Sequence, residues 1–96
     1  MQIANTILAQ LGGNRFLAMT GATNLLGGEN SLQFKIGRND AKVTHVRITL
    51  NASDLYDVEF FNVRGLNRKS LGALDGVYAD QLAEVFTRKT GLVVAL

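Results

Sequence analysis

VTHVRITL, Val43 to Leu50, places Val46, Ile48 and Leu50 on one side of an extended chain and His45, Arg47 and Thr49 on the other. A period of two is the mark of a strand with one buried face. The segments on either side repeat it. Upstream, SLQFKIG alternates Leu32, Phe34 and Ile36 with Gln33 and Lys35, and downstream LYDVEFFNVR sets Tyr56, Val58 and Phe60 against Asp57 and Glu59. Polar, turn-forming stretches separate the three, RNDAK (Arg38 to Lys42) and Asn51-Ala52-Ser53-Asp54. The adjacent Phe60 and Phe61 break the alternation, which predicts a bulge or an end to one-sided burial there. If the second and third of these strands form a hairpin, His45 and Arg47 come near Asp57 and Glu59 across it, a modest stabilisation.

Further upstream, Arg15 to Thr20 is short and apolar-rich and reads as another strand, joined to SLQFKIG through the turn residues of LLGGEN, Leu25 to Asn30. Ile3, Ile7, Leu8 and Leu11 fall at helical spacing, with Gly12-Gly13 as the stop. Downstream, Gly65 to Leu74 reads as a connection with room for a short strand. DGVYADQLAEVFTRKTG then predicts a helix from Asp75, with Tyr78, Leu82, Val85 and Phe86 on one face, Arg88 and Lys89 near its end, and Gly91 after it. The closing LVVAL is expected as a terminal strand or an apolar tail. The predicted class is α+β: an antiparallel meander of about four strands, with an N-terminal and a C-terminal helix on the face made by Phe34, Ile36, Val46, Ile48, Val58 and Phe60.

The chain of 96 residues, 47% hydrophobic and 19% charged, fits a single domain over 1–96. It has no Cys, which excludes disulfides, thiolate catalysis and Cys-based metal sites. His45 is the single histidine, so neither a metal nor another cofactor is expected. The first residues lack the basic start and apolar run of a secretory signal, and no segment approaches the roughly 18 apolar residues of a membrane span. A cytoplasmic protein is expected.

Thr20-Gly21-Ala22 resembles the small-residue turns that hold phosphate, but no Lys follows it and no helix opens after it, so a structural turn is the expected role. A triad would need His45 to meet Ser31 or Ser53 and an acid such as Asp57, and nothing like a nucleophile elbow is present. Asp54, Asp57 and Glu59 are expected as an ordinary charged strand face. No catalytic residue is assigned and no enzyme is expected. The formal net charge of +2 is compatible with a polyanion but does not demand one. Lys35, Arg38, Lys42, Arg47, Arg64, Arg68 and Lys69 come from strands and their turns and have the means to merge at one sheet edge. Phe34, Tyr56 and Phe60 are placed under the helices, leaving Phe61 as the aromatic for the open face.

Three segments, ILAQLGGNRFLAMTGATN (Ile7 to Asn24), DLYDVEFFNVRG (Asp54 to Gly65) and GVYADQLAEVFTRKTGL (Gly76 to Leu92), together resemble a family of small uncharacterised proteins of bacteriophages and other mobile elements. The resemblance implies a setting inside a bacterial host cell and carries no catalytic positions over. With it, the leading expectation is a non-enzymatic accessory protein that binds a host or phage protein, including as an inhibitor of a host defence complex. Its contact residues are expected among Lys35, His45, Arg47, Arg64, Arg68 and Lys69. The rival is a small nucleic-acid-binding module for phage replication or regulation, and a third expectation is a homodimer through an edge strand or the GLVVAL tail. No membrane partner is expected.

Overall fold

Sheet pairing follows chain order. The structure, a computed structural model, describes residues 2–92, with Gln2 in its backbone only. Helix α1 (Gln2–Leu11) and helix α2 (Asn14–Thr20) precede strands β1 (Thr23–Gly27), β2 (Ser31–Lys35), β3 (His45–Leu50), β4 (Tyr56–Arg64) and β5 (Asn67–Val77). A 3-10 turn (Ala79–Gln81) leads into helix α3 (Leu82–Thr90). The five strands form one antiparallel sheet in the order β1-β2-β3-β4-β5. The fold is α+β, with the helices touching each other and one face of the sheet.

The central strands obey the alternation that predicted them. Phe34, Ile36, Val46, Ile48, Val58 and Phe60 are all buried. Above them α1 contributes Ala4, Ile7 and Leu11, α2 contributes Phe16, and α3 contributes Leu82 and Phe86. Phe16 meets Phe34 and Phe86 edge-on, with ring centroids 5.3 and 5.1 Å apart. Edge-to-face rings add about 0.5–1.5 kcal/mol per pair to the burial of their area, so this trio joins the first helices, the sheet and the last helix at one point. Each of α2 and α3 ends in a buried threonine whose hydroxyl donates to the carbonyl four residues back, Thr20 to Phe16 (2.7 Å) and Thr90 to Phe86 (2.8 Å). Gly91 caps α3 in the left-handed conformation, and Arg88 and Lys89 lie in its last turn, as the sequence predicts.

Four expectations need correction. Arg15 to Thr20 belongs to helix α2 rather than to a strand: Phe16 and Thr20 are buried four residues apart, and Leu, Ala and Met between them are good helix formers. The first strand comes later, at Thr23–Gly27, overlapping the stretch read as turn from Leu25. Gly65 to Leu74, read as a connection with room for a short strand, lies mostly in β5, at 11 residues the longest strand in the sheet. Helix α3 therefore starts at Leu82, and Tyr78, expected on its buried face, is 59% exposed ahead of it. The strand or tail expected of LVVAL lies outside the described residues beyond Leu92.

The bulge expected beside Phe60 and Phe61 is present as a register shift between these residues and β5, where Phe60 pairs with Gly72 and Phe61 with Ser70, leaving Leu71 extra. Phe60 is buried under the helices and Phe61 on the opposite face, so one-sided burial ends there. A second irregularity lies in edge strand β1 between Thr23 and Leu26, where Asn24 takes a φ of 54°. Both edge strands are thus broken in register, while the β2–β3 and β3–β4 ladders run without interruption. Broken edges discourage pairing with another sheet.

Candidate basic site at one end of the sheet

In a meander the end of β2, the start of β3, the end of β4 and the start of β5 all lie at the same end of the sheet. Six of the ten Lys and Arg residues fall there or in the loop between β2 and β3: Lys35, Arg38, Lys42, Arg64, Arg68 and Lys69. Asp40 is the one acid among them. The opposite end holds Glu29 in the β1–β2 turn, Asp54 and Asp57 about the β3–β4 turn, and Asp75 near the end of β5. A small net charge therefore conceals a strong separation along the strands.

The expected contact residues divide between two faces. On the open face, Lys35 is the register partner of His45, His45 of Phe61, and Phe61 of Ser70. Arg68 lies over the Phe61 ring, its guanidinium carbon 3.8 Å from the centroid, and Arg47 approaches the same ring at 5.8 Å. Phe61 does point to this face, but with Arg68 across it the ring is only 5% exposed and presents no bare platform for stacking. Arg47 and Glu59 are opposite each other in register, yet the Arg47 guanidinium donates to Gln33 Oε1 on β2 (3.2 and 3.1 Å). His45 pairs with Phe61 and Thr49 with Asp57, so the expected His45 contact with the acids of β4 does not form.

Arg64 and Lys69 turn the other way. With Lys42, Asn62, Asn67 and Leu71 they line a cleft of about 360 Å³. Lys42, Asn62 and Arg64 also line a neighbouring hollow of about 740 Å³ against the β2–β3 loop, where Lys35 and Arg38 join them. Asn39 shapes that loop: its Nδ2 donates to the carbonyls of Gly37 (2.9 Å) and Val43 (2.7 Å), and its Oδ1 accepts from the Val43 amide (3.1 Å). Asn62 Nδ2 donates to the Lys42 carbonyl (2.7 Å) and the Val63 amide donates to Thr44 Oγ1 (2.8 Å), tying the loop to β4. Among the described residues no hydrogen bond or ion pair engages the charged groups of Lys35, Arg38, Lys42, Arg64 or Lys69; the ion pair found there joins Arg88 to Glu84. The strands and the loop bring these cations to the hollows without giving them an internal partner among the described residues.

Burial, followed by the positive charges of Lys35 and Arg68, holds the His45 pKa below its ordinary value. The ring's Nδ1 is 2.8 Å from Thr44 Oγ1. Neither a triad nor a carboxylate pair assembles around it, because Ser31, Ser53 and Asp57 belong to the far end of the sheet. Asp57 Oδ1 accepts from Asn51 Nδ2 (3.0 Å) and from the Gly76 amide (3.2 Å), a bracing role between β4 and β5. No group of His and acidic side chains suited to a metal ion occurs among the described residues. Gly21 adopts the left-handed conformation, and its amide donates to the Leu17 carbonyl to close α2. The turn that resembled a phosphate loop is a helix cap.

Among the described residues no helix is long and apolar enough to cross a membrane. Comparison with protein-family models, curated proteins and solved structures finds no match, so the functional reading rests on this geometry.

Proposed function

We propose that the protein is a non-enzymatic nucleic-acid-binding module whose basic end holds a phosphate backbone. The observation that carries this reading is the gathering of six cations at one end of the sheet, Lys35, Arg38, Lys42, Arg64 and Lys69 around two adjoining hollows and Arg68 on the other face of the β4–β5 hairpin, with Asp40 as the single acid. Phosphate contacts are favoured by cations without internal partners, and those of the two hollows have none among the described residues. Titration of a duplex and of a single strand at several salt concentrations tests it. If all six side chains meet phosphates of a duplex, log K falls against log salt with a slope of about −5; absence of salt-dependent binding to either strand form refutes the proposal.

Leu25 and Leu26, 41% and 65% exposed on edge strand β1, favour a second reading. In it a host or phage protein, including a host defence complex, is seated on the open face beside β1, with Lys35 and Arg47 at the contact. Charge reversal at these two residues would then weaken a protein complex that survives nuclease.

A further inference from the structure

We propose that the β4–β5 hairpin is a wedge-tipped arm that enters a groove of duplex DNA and presses Leu66 against a base step. The inference rests on the nucleic-acid reading above and adds to it the form of the nucleic acid and the means of engagement. The last β3–β4 partners are His45 and Phe61, whereas β4 and β5 continue as a two-stranded ribbon through Asn62–Lys69, Val63–Arg68 and Arg64–Asn67. At about 3.4 Å per residue those three pairs reach roughly 10 Å past the end of β3, and the β2–β3 loop flanks Asn62 and Val63, leaving Arg64 to Asn67 beyond it. The β2–β3 loop braces the base of this ribbon through Asn62 and Val63, and residues 64–70 are all exposed.

The tip is Gly65-Leu66. Gly65 has a φ of 58° and Leu66 does not share the positive sign, the pattern of a type II′ hairpin turn. Such a turn needs glycine first but has no need of an apolar residue second, where polar residues are usual. Leu66 is nonetheless fully exposed. A solitary exposed leucine is ordinary on a protein surface; this one stands at the end of a projecting arm with cations on both of its faces. Arg64 and Lys69 share one face, and Arg68 is on the other.

A thin ribbon charged on both faces matches a groove with a phosphate rim on either side, and an apolar tip matches the base faces that open when a step is unstacked. Apolar side chains inserted at base steps unstack them and bend the duplex, a cost offset by the added contact with the backbone. A lipid surface is the other acceptor for a leucine flanked by cations. Burying one leucine is too little to anchor a domain on a membrane, and the basic hollow beside the arm, with Lys42, extends the charge in a direction that a flat surface does not follow.

The test uses the whole chain with a short DNA duplex carrying 2-aminopurine at successive positions and a dye pair at its ends. Wild type is expected to bind with strong salt dependence, raise 2-aminopurine fluorescence at one step and change the end-to-end distance. Leu66→Ser should keep the salt slope, since no phosphate contact is removed, and lose both distortion signals; Leu66→Met should retain them. Circular dichroism confirms that the variants fold, as expected for a side chain with no burial. Duplex binding without distortion, or distortion unchanged in Leu66→Ser, overturns the wedge and leaves the nucleic-acid reading standing. Salt-dependent binding to single strands alone likewise overturns the wedge only. Absence of binding to both strand forms overturns both proposals, as does Leu66-dependent binding to phosphatidylserine vesicles without binding to nucleic acid.

Discussion

The two ends of the sheet are built from similar turns and do opposite things with their polar groups. At the acidic end Asn51 Oδ1 accepts from the amides of Ser53 (2.8 Å) and Leu55 (3.2 Å), while its Nδ2 donates to Asp57, which also accepts from Gly76. The side chains there are engaged in holding the chain to itself. At the basic end asparagines 39 and 62 perform that task, and the cations beside them are free of internal partners among the described residues. Turns can therefore be fixed without using up the charges, and that separation leaves the basic end free for the phosphate contacts proposed above.

The cations set the two ends apart most directly. Replacing Lys42, Arg64 and Lys69 together by alanine should lower duplex affinity by about 10²- to 10³-fold at roughly 0.1 M salt and flatten the salt slope by about three units, if each contacts a phosphate. Fluorescence anisotropy across a salt series measures both; an unchanged slope would remove the hollow from the binding surface. At the other end, Asn51→Ala leaves turn amides and Asp57 without their partner and should cost about 1–3 kcal/mol in chemical denaturation. The folded variant should bind the duplex as wild type does, and a matching loss of affinity would mean that the two ends are not separable.

His45 sharpens the contrast through pH. Its folded-state pKa lies below its unfolded value, so the folded protein resists the proton that the unfolded chain accepts. The stability this contributes is complete above the unfolded pKa near 6.5 and is lost as pH falls through the folded value. Denaturation midpoints should fall on going from neutral pH to below 6, with the step reduced in His45→Gln. Nearby phosphates would favour the protonated ring, so duplex affinity should rise over the same interval; movement of both quantities in one direction would contradict the assignment. The smallest effect is expected for Arg64→Ala alone, whose stability should stay within about 0.5 kcal/mol of wild type because the side chain is exposed and unpaired.

Much of the sheet is legible because β2, β3 and β4 each bury one face, and burial writes itself into Leu32-Phe34-Ile36, Val46-Ile48 and Tyr56-Val58-Phe60. Strand β5 is not legible in the same way. It is an edge strand with a mostly exposed run from Asn67 to Ser70 and register shifts against β4, so no steady alternation marks it. Helix α2 is hidden by brevity, since seven residues hold only the Phe16–Thr20 repeat to distinguish it from a strand. The basic residues can be named from the sequence, but their sorting into a hollow and an open face depends on register. Arg68 and Lys69 are neighbours in the chain and lie on opposite faces of the hairpin. RGLNRK sets Leu66 among three cations, but its place at the tip depends on the hairpin continuing beyond β3, which no residue pattern marks.

The Phe16–Phe34–Phe86 cluster has a consequence for synthesis. Each pairing in the meander joins strands adjacent in the chain, so the sheet has its partners as soon as β5 has left the ribosome. Its apolar face does not, because Phe86 and Leu82 arrive only with α3. Until then the nascent protein carries a paired sheet with a greasy, half-roofed side, the interval in which a chaperone would have most to hold. A chain stopped at Tyr78 should accordingly bind a hydrophobic dye that the full-length protein excludes.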